Sequence, residues 1–348
     1  MMASRTSKLE QITRDSGSCV LLLGSPNLYY FAEYEGAGAV LRCGENTYVI
    51  TPLLDAYRAQ NVKGAEVVIY DPYNSGRFST MISALEKLVN GKRLAVDLAW
   101  IQVPLYNVLQ AKFELVDISA QISKLRAIKE SWELERISAA GEVTSSAMKR
   151  GAEALVSGVT EYQVAGEIDA TMRKSGAEDY AFPSIVAFGP DTAFPHSQPR
   201  GRELRDEDNA LFDIGAKVGG YCFDSTRTFQ VKGEVRKVYE VVLQAQGEAI
   251  DLVKPGVRAS DVDLAARKVI EKAGLGRYFI HATGHGVGIE VHESPTVSPR
   301  SEDVLERNMV ITVEPGVYFN GKFGVRIEDT IIVDYRPKVL STFPKELP

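Results

Sequence analysis

The chain has 348 residues, more than one typical domain, with 45% apolar and 25% charged residues, the balance of an ordinary globular enzyme. A net charge of −6 without any basic stripe argues against nucleic acid as a partner. No apolar run reaches the roughly 18 residues that cross a membrane, so no membrane partner and a cytoplasmic location are expected.

The opening stretch, MMASRTSKLEQITRDSGS, is polar and lacks the apolar core of a signal peptide. Cys19–Leu23 (CVLLL) has strand length. The three cysteines, Cys19, Cys43 and Cys222, are odd in number and far apart. That argues against a disulfide framework and a thiolate zinc site, and for inert thiols. EVVIY (66–70) and RLAVDLA (93–99) read as strands. STMISALEKL (79–88) reads as a helix with Met81, Leu85 and Leu88 on one side. Alternating strands and helices over 19–118 predict an α/β layer domain. No GxGxxG or GxxxxGK loop follows a strand, which argues against a nucleotide site.

A polar connector at 119–131, ISAQISKLRAIKES, marks a boundary near 120–130. The reading adopted is an N-terminal α/β domain over 1–125 and an α+β domain over 126–348. Ser131 is the expected cap of the next helix, with Glu133 and Glu135 in its first turn. Thr160-Glu-Tyr-Gln163 is a capping box, and Ser260-Asp-Val-Asp263 is a near match. Each opens an amphipathic segment closed by a glycine, Gly176 or Gly274. This echo predicts two similar halves with a site between them. A helix over Val235–Val253 should end before Pro255.

Asp213 (ALFDIGA) and Asp224 (YCFDSTRTF) flank a Gly219-Gly220 turn. Centring the hairpin between Val218 and Gly219 sets the two aspartates opposite. Centring it on Gly219-Gly220 makes them diagonal neighbours. Either register puts both on one face, with Phe212 and Phe223 on the buried face. Like charges so placed need a cation or open solvent. Glu314 and Glu328 repeat the arrangement around Asn320-Gly321-Lys322. A three-residue loop there sets them opposite and a two-residue loop puts them on opposite faces, so the odd loop or a bulge is predicted. Their apolar flanks favour the cation, because glutamate is rarely buried alone.

Three of the four histidines lie in HATGHGVGIEVHESP, 281–295. Gly284, Gly286 and Gly288 exclude a helical zinc motif around His285 and permit close backbone approach. His285 can then be a fifth ligand. Four carboxylates and one imidazole without thiolate suit two divalent cations: manganese or cobalt first, zinc or iron next.

The order Asp213, Asp224, His285, Glu314 and Glu328, in the contexts DIGA, FDSTRTF, GHGVGIEVHE, TVEPG and VRIEDT, resembles the "pita-bread" metallopeptidases. These include prolidase (Xaa-Pro dipeptidase), aminopeptidase P, methionine aminopeptidase and creatinase. LRAIKESWELERI resembles the family's inter-domain helix. The resemblance implies a creatinase/prolidase-like N-terminal domain before a pita-bread catalytic domain. It implies that Asp224 and Glu328 bridge two metals, that Asp213 holds one and that His285 holds the other. Glu314 would be a ligand and proton shuttle. His292 would contact the scissile carbonyl, and His196 (AFPHSQP) the substrate. His281 would lend support, and Arg326 could pair with a site carboxylate. Tyr221 and Thr226 are further supporting candidates.

The two-domain layout and the PH motif favour hydrolysis of Xaa-Pro bonds by a metal-activated hydroxide, with Xaa-Pro dipeptides as substrate. The alternative is aminopeptidase P-like action on longer peptides. A non-catalytic binding protein is the remote alternative on this fold. Two departures bear on this choice. Thr296 stands where some compact prolidases have arginine, with Arg300 four residues on, and Phe188 replaces a small polar residue. A homodimer is also implied by the resemblance.

Overall fold

The computed structural model describes residues 2–73 and 78–345. The chain divides into two compact units, Met1–Leu125 and Arg126–Pro348.

The first unit is an α/β layer. Its elements run α1 (Met2–Ser16), β1 (Cys19–Leu22), α2 (Ser25–Ala32), β2 (Ala39–Cys43), β3 (Asn46–Pro52), α3 (Ala56–Ala59), β4 (Glu66–Tyr70), α4 (Ser79–Leu88), β5 (Arg93–Val96), α5 (Val103–Gln110), β6 (Glu114–Asp117) and α6 (Ser119–Ala127), the last crossing into the second unit. The six strands form one sheet in the order β4-β3-β2-β1-β5-β6. β1 is central and all four of its residues are buried, which is why CVLL reads as an unbroken apolar run. α4 buries Met81 and Leu85 against this sheet, with Leu88 partly covered. Each fully buried Leu or Met stabilises by about 1.5–3 kcal/mol.

One expectation fails here. Cys19 and Cys43 are joined by a disulfide, with Cα atoms 4.4 Å apart. Antiparallel pairing of β1 with β2 sets Val20 against Arg42, and so brings the flanking cysteines face to face. Separation along the chain concealed that pairing. Cys222 is free and buried, and burial pushes its thiol up to about 12, so it is inert.

The second unit repeats one plan twice. α7 (Ser131–Glu153) and α8 (Glu161–Lys174) precede β7 (Asp179–Tyr180), β8 (Ile185–Phe188), β9 (Ala210–Ile214), β10 (Ala216–Val218), β11 (Tyr221–Cys222) and β12 (Ser225–Phe229). α9 (Gly233–Leu252) and α10 (Ala259–Lys272) precede β13 (Gly284–Gly286), β14 (Glu293–Val297), β15 (Val310–Val313), β16 (Gly316–Phe319), β17 (Phe323–Arg326), β18 (Asp329–Ile332) and β19 (Lys338–Val339). α8 and α10, the helices of the sequence echo, are both 14 residues long. The first pair buries Ala147, Met148, Val164 and Ile168 against Val186, Phe188 and Phe212 of a β12-β9-β8 sheet. The second buries Val242, Ala249, Val262 and Ile270 against Ile311, Val313 and Ile331 of a β14-β13-β15-β18-β19 sheet. The halves meet where Glu328 N–H donates to Thr226 O at 3.1 Å and Thr330 Oγ1 donates to Asp224 O at 2.7 Å.

Helix starts differ from expectation by one or two residues. Glu130, not Ser131, caps α7, and the Glu133 carboxylate accepts from Glu130 N–H at 2.8 Å in return. Thr160 caps α8 as expected. Ser260 does not cap α10, which already begins at Ala259. Arg258 pairs as an isolated β-bridge with Val304 and fixes the turn into the helix earlier. Asp263 is instead fully buried, and it accepts from the Thr283 N–H (3.0 Å) and hydroxyl (2.8 Å). α9 ends at Leu252, short of Pro255, as expected.

Candidate metal centre

The carboxylates are placed by two turns. Gly219 and Gly220 both have positive φ, 56° and 79°, and close a two-residue turn with Val218 opposite Tyr221. The register carries into β9 and β12, where Asp213 faces Thr226 and Ile214 faces Ser225. Asp213 and Asp224 are therefore diagonal neighbours, the second of the two expected registers. Phe212 and Phe223 are fully buried, as expected. In the other hairpin Phe319 faces Phe323 across Asn320–Gly321–Lys322, and Val313 faces Asp329 beyond it. The loop has three residues, so Glu314 stands opposite Glu328. His285 lies in β13 between glycines that have no room for a side chain. A Cβ on Gly284 would sit 2.0 Å from Thr312 O, and one on Gly286 would sit 2.2 Å from Ser294 O.

Four carboxylates and His285 thus converge. His285 Nε2 lies 3.3 Å from Glu314 Oε1 and 3.6 Å from Asp224 Oδ2. Asp224, His285 and Glu328 offer ligand atoms that all lie within 4.8 Å of one another. Asp224 is 5% exposed and Glu328 1%. Asp213 Oδ1, Asp224 Oδ1 and Glu328 Oε1 are buried without a hydrogen-bond partner among the described residues. Burial, then Glu328 and Asp213, hold the Asp224 carboxyl far above its usual range. Burial, then Glu314 and Asp213, do the same to Glu328. Burial also raises Glu314 and lowers His285. His285 Nδ1–H donates to Gly286 O at 3.1 Å, which leaves a neutral ring with Nε2 as its acceptor. Buried carboxylate oxygens without donors, beside a neutral imidazole nitrogen, fit divalent cations.

His292 is exposed beside this cluster, with its ring edge-on to His285 at 4.3 Å between centroids. Its pKa is lowered by desolvation first and His285 second. His196 is exposed on the segment after Ala193 and lies near enough to contribute weakly to that lowering.

Residues 135–335 match metallopeptidase family M24, and residues 5–128 match the creatinase/prolidase N-terminal domain. The chain belongs to metallopeptidase family M24. It is 34% identical to the Xaa-Pro dipeptidase of Pyrococcus furiosus over 340 residues, covering 95% of each chain. The fold is similar to that of a prolidase from Thermococcus sibiricus, with a TM-score of 0.92, 34% identity, and 100% and 98% of the two chains covered. It is also similar to an X-Pro aminopeptidase from Thermotoga maritima, with a TM-score of 0.90, 30% identity and 98% of both chains. The architecture is a creatinase-type N-terminal domain followed by the pita-bread catalytic domain of M24.

Around the M24 cluster lies a buried hydrogen-bond chain that the sequence only hinted at. Arg326, 2% exposed, donates through Nη2 to Asp213 Oδ2, through Nη1 to the Tyr318 hydroxyl (2.7 Å) and through Nε to Thr226 Oγ1 (3.0 Å). Thr226 in turn donates to Glu328 Oε2 at 2.7 Å. His281 Nδ1–H donates to Ala282 O at 2.7 Å, so its Nε2 accepts from the Tyr318 hydroxyl at 2.9 Å. His281 and Thr226 therefore stand behind the cluster, and Arg326 pairs with Asp213. The Tyr221 hydroxyl donates to Glu133 Oε1 on α7 at 2.7 Å. Arg300 is exposed and has no ion-pair partner among the described residues. Tyr318 and Thr312 were not singled out in the sequence, and Asp263 was read there only as part of a near-match capping box. The apolar run around Tyr318 hides the one hydroxyl that bridges Arg326 and His281.

Proposed function

We propose that this M24 chain hydrolyses the peptide bond before proline, with free Xaa-Pro dipeptides as substrate, and needs two divalent cations held by Asp213, Asp224, His285, Glu314 and Glu328. The observation that carries the reading is the three buried carboxylate oxygens on Asp213, Asp224 and Glu328 that have no donor. Four carboxylates against one guanidinium leave a charge that a single divalent ion does not neutralise. The donor set, oxygen-rich with one imidazole, favours manganese or cobalt over zinc or iron. When bound, such cations polarise the scissile carbonyl and acidify a water.

The chain's own groups supply the rest. The Xaa-Pro nitrogen carries no hydrogen and must be protonated to leave. Glu314, within 3.3 Å of His285 Nε2 in the carboxylate cluster, would take a proton from water and deliver it to that nitrogen. His292, exposed beside His285, would donate to the carbonyl oxygen, a role its ring contact with His285 supports. His196 contacts the substrate from the segment after Pro195, whose carbonyl accepts from Arg326 at 3.3 Å.

Thr296 supports a second reading, aminopeptidase P-like cleavage of longer peptides. It pairs with His285 across β13 and β14 and offers no cation for a substrate carboxylate. One experiment separates the two: hydrolysis of an Xaa-Pro dipeptide and an Xaa-Pro-Xaa tripeptide, each with manganese and with chelator. Cleavage of the tripeptide alone selects the second reading. No cleavage of either under any divalent ion ends both. A homodimer is also proposed, on the exposure of Leu54 and Tyr57, each 83% open beside the exposed Leu53. Light scattering in solution checks it.

A further inference from the structure

Glu293 follows His292 directly, yet its side chain is only 5% exposed. A glutamate so buried needs compensating charge. Arg126 Nη2 and Lys129 Nζ supply it, the latter at 3.2 Å. The Lys129 side chain is 1% exposed, an unusual depth for a lysine. Arg126 also reaches Glu290 Oε2 at 2.8 Å, and the Glu290 N–H donates to Glu293 Oε1 at 3.1 Å. Arg126 and Lys129 thus both bear on the Glu293 carboxylate, and Arg126 ties it to Glu290.

The cluster shapes the loop that presents His292. A Cβ on Gly288 would meet Glu293 Oε2 at 2.4 Å, so the loop folds directly over this carboxylate. Gly288 N–H donates to Glu290 O at 3.0 Å, and Cys222 N–H donates to Gly288 O at 2.7 Å. On the strand side, Glu293 pairs with Gly286 across a register shift that begins at His285. His292 itself has no hydrogen bond among the described residues, only its ring contact with His285. Nothing on its own side chain fixes where it stands.

We infer that Arg126 and Lys129 are positioning residues that act through Glu293 to set His292 against the substrate. This rests on the reading of His292 as a substrate contact. The carboxylate is the pivot: its charge is held from beneath by the two cations, and its backbone carries the histidine. Misplacing a catalytic contact by about 1 Å costs up to about a hundredfold in rate.

The test uses the full-length, metal-loaded enzyme in four forms: wild type, His292→Ala, Glu293→Gln and the double variant. Glu293→Gln should lower kcat on an Xaa-Pro dipeptide at least about tenfold with bound metal unchanged. In the His292→Ala background it should cost nothing further. Equal loss in both backgrounds, or loss of metal, overturns the inference. If Glu293→Gln does not fold, Lys129→Met runs the same cycle with Glu293 still held by Arg126. A second readout needs no activity. The chain has four histidines, so the ring 15N–1H signals are few. Glu293→Gln should move the His292 ring signals and leave those of His196 in place. An unmoved His292 overturns the inference. A wild-type enzyme that cleaves no Xaa-Pro substrate would count against the proposed function, while the histidine signals would still decide the clamp.

Discussion

Glu314 stands directly opposite Glu328 because the loop between their strands holds three residues, Asn320, Gly321 and Lys322. The period-two alternation of a strand makes this loop length decisive for the site. Deleting Gly321 should shift the register by one and turn one glutamate out of the cluster. Metal content should fall, and kcat/KM should drop by about a hundredfold or more. Gly321→Ala is the matched control. Gly321 has φ +74° and open space around it, so alanine adds only backbone strain, about 1–2 kcal/mol, with activity kept. Metal analysis and kinetics on the two variants check this. Equal behaviour of the two would refute the register argument.

Arg326 is the one buried cation hydrogen-bonded to the carboxylate cluster among the described residues. Arg326→Met should destabilise the metal-free protein by about 3–5 kcal/mol, because the partly buried Asp213 loses the guanidinium that pairs with its Oδ2. Saturating manganese should recover much of that loss if the carboxylates hold the cation. Urea unfolding with and without chelator reads both quantities. A loss below about 1 kcal/mol in chelator would show that Asp213 is satisfied some other way.

Glu161 gives a pH dependence away from the metal cluster. Its carboxylate is fully buried at the start of α8 and accepts from the Phe188 and Arg200 N–H groups, both at 2.8 Å. Burial outweighs these donors and raises its pKa from 4.5 to about 7. A raised folded-state value means the contribution is fully present below pH 4.5 and is lost as pH rises through about 7. The span is on the order of 3 kcal/mol. Glu161→Gln cannot titrate, so wild type should lose stability relative to it between those limits. Denaturant unfolding at several pH values measures the difference, and a constant gap across the range would reject the assignment.

Local rules reached far into this structure. The glycine pair at 219–220 put Asp213 and Asp224 on one face in either register, and a three-residue loop at 320–322 sets Glu314 opposite Glu328, because turn length fixes strand register. Gly284 and Gly286 announced the tight packing around His285. What stayed hidden depends on partners chosen by tertiary packing. Arg126 meets Glu293 from 167 residues away, and no local pattern ties them. Asp263 looked like half of a capping box because its spacing suits one, yet burial against Thr283 claimed it. Cys19 and Cys43 were misread for a related reason: the antiparallel register of β1 and β2 pairs them, and counting cysteines does not use register. Tyr318 sits in a strand that reads as plain core, and only the fold brings Arg326 and His281 to its hydroxyl.

The two histidines in ring contact should fail in different ways. His285 Nε2 is turned toward Asp224 and Glu314, with Nδ1 committed to Gly286 O. His285→Ala, like Asp213→Asn, should therefore lower bound metal and abolish hydrolysis while the protein stays folded. His292 is exposed and bonds to no cluster carboxylate among the described residues. His292→Ala should keep its metal and lose turnover by about 10²–10³, the scale of one oxyanion donor. The difference should persist at saturating manganese, since excess cation can refill a weakened site but cannot replace a lost donor. Metal analysis after desalting, paired with kcat at high manganese, separates the two. If His292→Ala loses metal as His285→Ala does, the division of labour between them is wrong, and His292 belongs with the ligands.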